Sequence, residues 1–302
     1  MAALGRLLTA MVTPFDDEGQ VDYEQAKRLA LALLESGSDG VVLCGTTGEA
    51  PTLNREEKLR LFSEVRAAVG GRGQVVASTG SYSTRESTEL TREAERIAVD
   101  AALLVVPYYS KPTQAGLLEH FKAIAAGTSL PCILYNVPSR TITSLAADTV
   151  LALSKIDNIV GLKEASGNFQ EAAKVIAGSG DDFLVYSGND TDTFHLMSLG
   201  GYGVISVASH LVGVQIKKMI DMMVAGEIRE AATVHHRLLP LVNTLFVLSN
   251  PMPVKHALNA LGFPVGRPRL PLTEPDAKTA AHIEATVGDY RVDLPLVQLR
   301  TR

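Results

Sequence analysis

Short apolar segments alternate with amphipathic, helix-like segments from the start of the chain to about residue 226, and this alternation restricts the fold most strongly. Apolar runs bounded by turn residues indicate buried strands, and repeated strand–helix units indicate a parallel sheet. Eight such units predict an α/β fold, a closed (β/α)8 TIM barrel. An open doubly wound sheet is the alternative, but no Gly-x-Gly-x-x-Gly motif follows the first strand. The predicted strands are residues 8–13, 41–44, 75–78, 102–106, 132–135, 159–163, 183–186 and 203–207.

Capping residues indicate where the helices of this alternation begin. Asn54 and Glu57 fit the capping-box pattern ahead of a helix whose apolar positions recur at helical spacing. Gly70 and Gly71 follow the last apolar position and are expected to end that helix. The other predicted N-caps are Asp22, Thr113, Ser144 and Asn168.

The alternation ends after about Gly226, and the remaining sequence has only helical patterns. Residues 227–248 are expected to form one long helix, and shorter helices fit residues 254–261 and 276–286. The sequence therefore predicts two parts: a catalytic barrel at residues 1–226 and a C-terminal α-helical domain at residues 227–302.

Composition and charge limit the partners of the protein. The chain has a net charge of −5 with acidic and basic residues interspersed, so no nucleic-acid partner is expected. No apolar run reaches the roughly 20 residues that a membrane-spanning helix needs, and residues 1–6 lack a signal-peptide pattern. Cys44 and Cys132 each lie in an apolar segment and are expected to be buried thiols, with a disulfide or ligand pair as the alternative. We therefore expect a cytoplasmic protein with no membrane partner.

Lys163 ends the sixth predicted strand and is the first candidate for chemistry. Burial disfavours the charged ammonium, and a neutral amine is a nucleophile that forms Schiff bases with carbonyl compounds. Strand alternation places Ile159 and Gly161 on the face of Lys163, with Gly161 leaving open space beside the amine, while Glu164 points away. The alternative is a lysine that ends a strand and reaches water.

Polar residues follow several other predicted strands, and in such barrels active sites form at the carboxyl ends of the strands. The turn Gly45–Glu49 offers threonine amides and hydroxyls for a carboxylate, and Arg140 offers a bidentate fork for another. Tyr135 ends the fifth strand, where it is suited to proton transfer. Taken singly, each has another explanation: the threonines a plain turn, Arg140 a surface ion pair, and Tyr135 core packing. Together with Lys163 they predict a site for a small keto acid.

Four segments carry a resemblance to known proteins, at residues 45–49, 108–112, 135–141 and 161–164. In their residues, order and spacing they resemble the dihydrodipicolinate synthase / N-acetylneuraminate lyase family of pyruvate-dependent aldolases. The resemblance covers nearly the whole chain, including its helical C-terminal part. Arg140 resembles the synthase branch, because the neuraminate lyases usually lack an arginine at that position.

The resemblance implies a condensation of pyruvate with L-aspartate 4-semialdehyde that gives 4-hydroxy-tetrahydrodipicolinate. Lys163 would form an imine with pyruvate, and loss of a methyl proton would give the enamine that attacks the aldehyde. Tyr135 would donate and accept protons and would be linked through Thr47 to Tyr109, which a neighbouring subunit contributes. The implied assembly is a homo-oligomer, a tetramer built as a dimer of dimers.

The resemblance also assigns the binding residues. Thr46 and Thr47 would bind the pyruvate carboxylate, and Arg140 would orient the carboxylate of the semialdehyde. Ile205 would line the pocket, and the carbonyl group of Gly188 would lie near the substrate.

No metal and no other cofactor is expected, because the imine itself is the electron sink. The chain has no His-Glu-x-x-His motif, and His235 and His236 are expected on a solvated helix face. A pyridoxal phosphate enzyme would need a phosphate cradle, which the residues around Lys163 do not provide. Two rival functions remain. One is a lyase or aldolase for a 2-keto-3-deoxy sugar acid or N-acetylneuraminate, and the other is a non-catalytic barrel that binds a keto acid.

In members of the family that respond to L-lysine, the amino acid lies at a subunit interface. The corresponding positions here are Pro51, Arg55, Lys58, Tyr82 and Glu86. Two cations oppose a cationic ligand, and a phenol ring fills space. The resemblance therefore predicts weak or absent inhibition by L-lysine.

Overall fold

The computed structural model describes residues 4–295, and its strands form one closed parallel barrel. Each strand pairs in parallel with the next, and the first strand also pairs with the eighth. All eight predicted strands are present, with ends that shift by a few residues, so the predicted TIM-barrel fold is confirmed. The strands are β1 Leu7–Ala10, β2 Gly40–Leu43, β3 Gln74–Ser78, β4 Ala101–Val105, β5 Cys132–Asn136, β6 Ile159–Glu164, β7 Leu184–Ser187 and β8 Gly203–Ser206.

Helices follow the strands and cover the outside of the barrel. The capping box of Asn54 and Glu57 is formed, and Asp22, Thr113 and Asn168 each cap a helix as predicted. The helices are α1 Tyr23–Glu35, α2 Arg55–Val69, α3 Thr84–Arg96, α4 Gln114–Ala125, α5 Pro138–Thr141, α6 Ala147–Leu153, α7 Phe169–Gly178, α8 Thr193–Ser198, α9 Ser209–Ala225, α10 Ile228–Thr244, α11 Met252–Ala260 and α12 Ala277–Gly288.

The predicted cap at Ser144 is wrong. α6 begins at Ala147, with Ala146 at the N-cap and no capping side chain. The backbone amide of Leu145 instead donates to Asn136 Oδ1 at 2.9 Å, which ties this segment to the end of β5. α6 therefore begins later in the sequence than the predicted cap at Ser144 indicates.

The core has an interior and an exterior part. Residues that point into the barrel, among them Leu8, Val42 and Ile133, form one buried cluster. Residues of the opposite strand faces, such as Leu134 and Leu162, pack against the helices. Burial of both strand faces explains why the strands are continuous apolar runs without alternation.

β6 contains a register shift that alternation does not reveal. Cys132 pairs with Ile159, but the next residue of β5 pairs with Gly161. Ile159 consequently packs in the exterior cluster and Val160 against the interior one, so the prediction that Ile159 shares the face of Lys163 is wrong. Gly161 also leaves no open space, because a Cβ there would lie 2.4 Å from the carbonyl oxygen of Leu184.

Beyond Ala225 the described chain contains three further helices, α10, α11 and α12. α10 ends at Thr244, before the predicted end at residue 248. The division into a barrel and a helical domain stays a prediction, and residues 296–302 of its second part lie outside the described range. Among residues 4–295, no helix is both long and apolar enough to cross a membrane.

Candidate active site

A cavity of about 570 Å³ opens at the carboxyl ends of the barrel strands. Its wall includes the turn after β2, the ends of β4 and β5, and the segment that connects α10 with α11. Of the residues predicted to bind or react, Thr46, Tyr135 and Arg140 line it. Three predicted residues therefore share one concave surface, whereas Lys163, Thr47, Tyr109, Gly188 and Ile205 are not part of its wall.

Lys163 and Tyr135 meet because adjacent strands place them side by side. The two residues pair in the β5–β6 register, and both side chains are buried. The Lys163 Nζ lies 4.3 Å from the centroid of the Tyr135 ring. The amine of Lys163 therefore lies against the face of the Tyr135 ring, and a phenol is a side chain that can transfer protons.

Gly188 lies against the lysine on the side of β7. A Cβ at this position would come within 3.2 Å of Lys163 Cε and 2.7 Å of Ala165 Cβ. A side chain there would push the lysine stem away, so the glycine keeps space for the amine. Ile205 is fully buried in the interior cluster that also contains Tyr135.

Two buried carboxyl groups lie near Lys163 without an ion pair to it. Glu164 points to the opposite face, as predicted, and accepts a hydrogen bond of 3.0 Å from Asn136 Nδ2. Asp190 accepts hydrogen bonds from the backbone amides of Val207 at 2.9 Å and Ala208 at 3.1 Å. Burial raises the pKa of both carboxyls, and for Asp190 the positive charge of Lys163 acts in the opposite direction.

The turn Gly45–Glu49 is held by buried contacts to distant residues. Thr46 lines the cavity, whereas the buried Thr47 accepts a hydrogen bond of 2.8 Å from Asn250 Nδ2. Thr13 Oγ1 donates to the carbonyl oxygen of Gly48 at 2.7 Å. These contacts present the turn as a rigid group of polar atoms at the edge of the cavity.

Glu49 ends this turn in an ion pair that the sequence analysis missed. Its carboxylate accepts a hydrogen bond of 2.8 Å from Lys255 Nζ, and both side chains are almost completely buried. Burial lowers the pKa of Lys255 to about 8, and the charge of Glu49 opposes that shift. The only sequence signal is a lysine within the apolar pattern of α11, and nothing in the sequence names its partner.

Tyr109 and Arg140 differ from the other predicted site residues because both are exposed. The Tyr109 side chain is 91% exposed, and its backbone has a φ of +71°. Within one chain, Tyr109 is therefore not assembled with Tyr135 and Lys163. Arg140 lies on the short helix α5 and reaches the cavity wall.

The cavity wall also includes four of the five positions at which the resemblance places an effector, all except Tyr82. Lys58 and Glu86 are among the four, and burial lowers the pKa of Lys58. Arg55 pairs with Glu93 at 2.8 Å and Glu89 at 3.3 Å, both on α3.

His235 and His236 were both predicted on a solvated face of a helix. His236 is exposed, but His235 is buried and stacks on Phe194 with ring centroids 5.4 Å apart, so the predicted solvated face is wrong for His235. Cys44 and Cys132 are buried free thiols, as predicted.

Between residues 4 and 295, no group of three or more His, Cys, Asp or Glu side chains is arranged to hold a metal ion.

Comparison with known proteins places this geometry in a family. The chain is 59% identical over 296 residues to a 4-hydroxy-tetrahydrodipicolinate synthase from Dehalococcoides mccartyi, covering 98% of this chain and 100% of the relative. The crystal structure of dihydrodipicolinate synthase from Cyanidioschyzon merolae with lysine bound superposes with a TM-score of 0.92 at 45% identity, covering 94% and 98% of the two chains.

A second solved structure is the chloride-inhibited dihydrodipicolinate synthase from Acinetobacter baumannii, complexed with pyruvate. It superposes with a TM-score of 0.92 at 39% identity and covers 95% of this chain and 99% of that one. The model of the dihydrodipicolinate synthetase family matches residues 3–289. The chain belongs to the dihydrodipicolinate synthetase family.

Proposed function

We propose that Lys163 is the residue through which this chain performs the reaction of its family. That reaction is the aldol-type condensation of pyruvate with L-aspartate 4-semialdehyde to 4-hydroxy-tetrahydrodipicolinate, and the chain is a lyase of the diaminopimelate branch of lysine biosynthesis. The observation that carries the role of Lys163 is its buried amine beside the Tyr135 ring at the catalytic end of the barrel.

The chemistry needs an amine, an acid–base group and an anion site. The Lys163 amine condenses with the pyruvate carbonyl and releases water, and loss of a methyl proton gives an enamine. The enamine carbon bonds to the aldehyde carbon, whose oxygen takes up a proton. The amino group of the semialdehyde then attacks the imine carbon and displaces the Lys163 amine, which closes the ring and restores the enzyme. Tyr135, in contact with the amine, is the proposed proton donor and acceptor.

The turn after β2 and the residues around the imine have the remaining roles at the pyruvate end of the site. Thr46 and Thr47 of the turn after β2 are proposed to bind the pyruvate carboxylate, with Gly188 and Ile205 shaping the space around the imine. A threonine hydroxyl also completes the proton relay. The family resemblance assigns this role to Thr47, and Thr46 offers a second hydroxyl at the cavity wall.

Tyr109 is proposed to act in the site of a neighbouring subunit, which makes catalysis depend on a homo-oligomer. Its 91% exposure and its position after β4 support this, because a large aromatic side chain that reaches so far into solvent is suited to a partner surface. The proposed assembly is a tetramer made of two dimers.

A cytoplasmic location is part of the proposal. Burial raises the pKa of the Cys44 and Cys132 thiols to about 12, and neither thiol is in a disulfide. Reduced buried thiols suit a reducing compartment. Cell fractionation tests this: recovery with the membrane or the secreted fraction would contradict it.

The function is tested by product formation with matched substrates. The purified protein should consume pyruvate and L-aspartate 4-semialdehyde in equal amounts. It should leave 2-keto-3-deoxy sugar acids and N-acetylneuraminate intact. Rapid cleavage of a sugar acid would favour the rival aldolase, and tight pyruvate binding without turnover would favour a keto-acid-binding barrel.

Arg140→Ala should chiefly impair the second substrate. The exposed guanidinium reaches the cavity wall, where it can form a charge-assisted contact with the carboxylate of the semialdehyde. We expect its loss to raise the KM for the semialdehyde by about ten-fold or more, with a smaller change in the KM for pyruvate. Arg229→Ala removes the same charge at an exposed position of α10 and should change neither. Equal increases in the KM values for pyruvate and the semialdehyde would contradict the assignment of Arg140 to the second substrate.

L-lysine should inhibit this enzyme weakly or not at all. Lys58 places a cation at the end of the cavity where the resemblance puts the effector, and it disfavours a cationic ligand. The expectation that the Tyr82 ring fills this space is wrong, because Tyr82 is exposed, packs edge-on against Tyr108 with ring centroids 5.3 Å apart and does not line the cavity. Activity measured against rising L-lysine at saturating pyruvate decides the matter, and half-inhibition at sub-millimolar lysine would contradict the expectation. The exchange Lys58→His tests whether the cation is responsible, because it should increase sensitivity.

A further inference from the structure

Asn250 lies in the segment between α10 and α11. Its side chain contacts the turn Gly45–Glu49, which is proposed to bind the pyruvate carboxylate. Its side chain is buried and lines the cavity, and its Nδ2 donates a hydrogen bond of 2.8 Å to Thr47 Oγ1. The two residues are 203 positions apart. The helical C-terminal segment thus places a hydrogen-bond donor directly on a threonine that is proposed to bind pyruvate.

This hydrogen bond restricts what the Thr47 hydroxyl can do. A hydroxyl has one hydrogen to donate and rotates freely when it has no partner. Because Asn250 Nδ2 can only donate, the Thr47 oxygen must accept from it, and the hydroxyl hydrogen then points elsewhere. No residue between 4 and 295 accepts the Thr47 hydrogen, which is therefore left for a ligand that reaches Thr47 from the cavity lined by Thr46 and Asn250.

The backbone of the turn does not depend on Asn250. Thr13 holds the carbonyl group of Gly48 at 2.7 Å. Lys255 Nζ and the amide of Arg269 each donate to the Glu49 carboxylate at 2.8 Å. Loss of the Asn250 donor therefore leaves the contacts to Gly48 and Glu49 in place. It changes chiefly the direction of the Thr47 hydroxyl.

The second polar atom of the Asn250 amide supports a role beyond packing. Asn250 Oδ1 is buried and accepts no hydrogen bond from the residues the structure describes. A buried acceptor without a partner destabilises the fold, and most buried polar atoms have a partner. An apolar side chain would avoid this penalty, so stability alone does not explain an asparagine here.

We propose that Asn250 is a positioning residue that directs the Thr47 hydroxyl toward the pyruvate carboxylate, an inference that rests on the proposed function. It acts through Thr47 and does not itself need to touch the substrate. The C-terminal helical segment thereby sets the affinity for the first substrate.

Asn250→Asp is the sharpest variant, because it keeps the shape and replaces the donor by an acceptor. A carboxylate would draw the Thr47 hydrogen to itself, so the hydroxyl would present its lone pairs to pyruvate. We expect the KM for pyruvate to rise by about ten-fold to one hundred-fold, while the KM for the semialdehyde changes by less than about three-fold. Because Thr47 is also the proposed relay hydroxyl, kcat should fall as well. An unchanged pyruvate KM, or an equal rise in both KM values, overturns the proposal.

A double-mutant cycle separates action through Thr47 from a general disturbance. Thr47→Val removes the hydroxyl, and adding Asn250→Asp to it should raise the pyruvate KM no further than about two-fold. Additive effects overturn the proposal. If Asn250→Asp does not fold, Asn250→Ala serves in the same cycle with the same expectation.

Asn259→Asp is the matched control. Asn259 also lies in the C-terminal segment, but its side chain binds the backbone of Val265 at 2.7 Å and Gly266 at 3.0 Å. This variant should leave the pyruvate KM unchanged, and a rise equal to that of Asn250→Asp would overturn the proposal. Failure of the proposed function is recognised separately, because wild-type protein would then form no borohydride-stable adduct with pyruvate.

Discussion

Lys163→Ala should lower turnover by about three orders of magnitude or more, because the variant lacks the amine that forms the imine. The substitution shortens a buried side chain that contacts Tyr135 but removes no buried ion pair, so the barrel should remain folded. Steady-state rates at saturating substrates, with circular dichroism to confirm the fold, give the result. Lys174→Ala, at an exposed lysine of α7 that pairs with Glu171, should retain normal turnover.

Mixing two inactive variants extends this prediction to the oligomer. If Tyr109 serves the site of a neighbour, a hybrid of Lys163→Ala and Tyr109→Phe subunits contains one site with both groups intact. Subunit exchange should therefore restore activity that neither variant shows alone. A mixture that exchanges subunits but stays inactive would contradict the placement of Tyr109.

Lys255→Met should lower the free energy of unfolding by about 3–5 kcal/mol, because the variant leaves the Glu49 carboxylate buried without its partner. Lys255 also donates to the carbonyl oxygens of Thr13 at 3.0 Å and Arg267 at 3.1 Å, so the ammonium joins the barrel to the C-terminal segment. Urea denaturation followed by circular dichroism measures the change.

The double variant Lys255→Met, Glu49→Gln should recover part of this stability, since it removes both charges from the interior and keeps an acceptor for the Arg269 amide. Lys27→Met is the control, because its ion pairs with Glu24 and Glu64 lie at the surface and should contribute little. An effect of Lys255→Met no larger than that of the control would show that the buried pair is not important for stability.

The architecture and the centre of the site were predictable because they depend on local patterns. Buried parallel strands leave continuous apolar runs, and the capping box at Asn54 is contained in four residues. Lys163 and Tyr135 both end such runs, so strand pairing alone brings them together. The roles of individual residues around them came from the family resemblance and need the experiments above.

The unpredicted features depend on contacts between distant parts of the chain. The register shift in β6 arises from pairing with β5 and reverses the face of Ile159. The contacts of Asn250 with Thr47 and of Lys255 with Glu49 join residues about two hundred positions apart, and no local pattern specifies such pairs. The helical C-terminal segment therefore looks independent in the sequence, although its side chains hold the turn Gly45–Glu49 in the structure.

The central claim is that pyruvate forms an imine with Lys163, and borohydride trapping tests it most directly. The protein is incubated with pyruvate, reduced, and analysed by intact mass and peptide mapping. We predict one reduced pyruvate unit per chain, on the peptide that contains Lys163, and no adduct on the Lys163→Ala variant. An adduct on a different lysine, or full trapping by Lys163→Ala, would contradict the account.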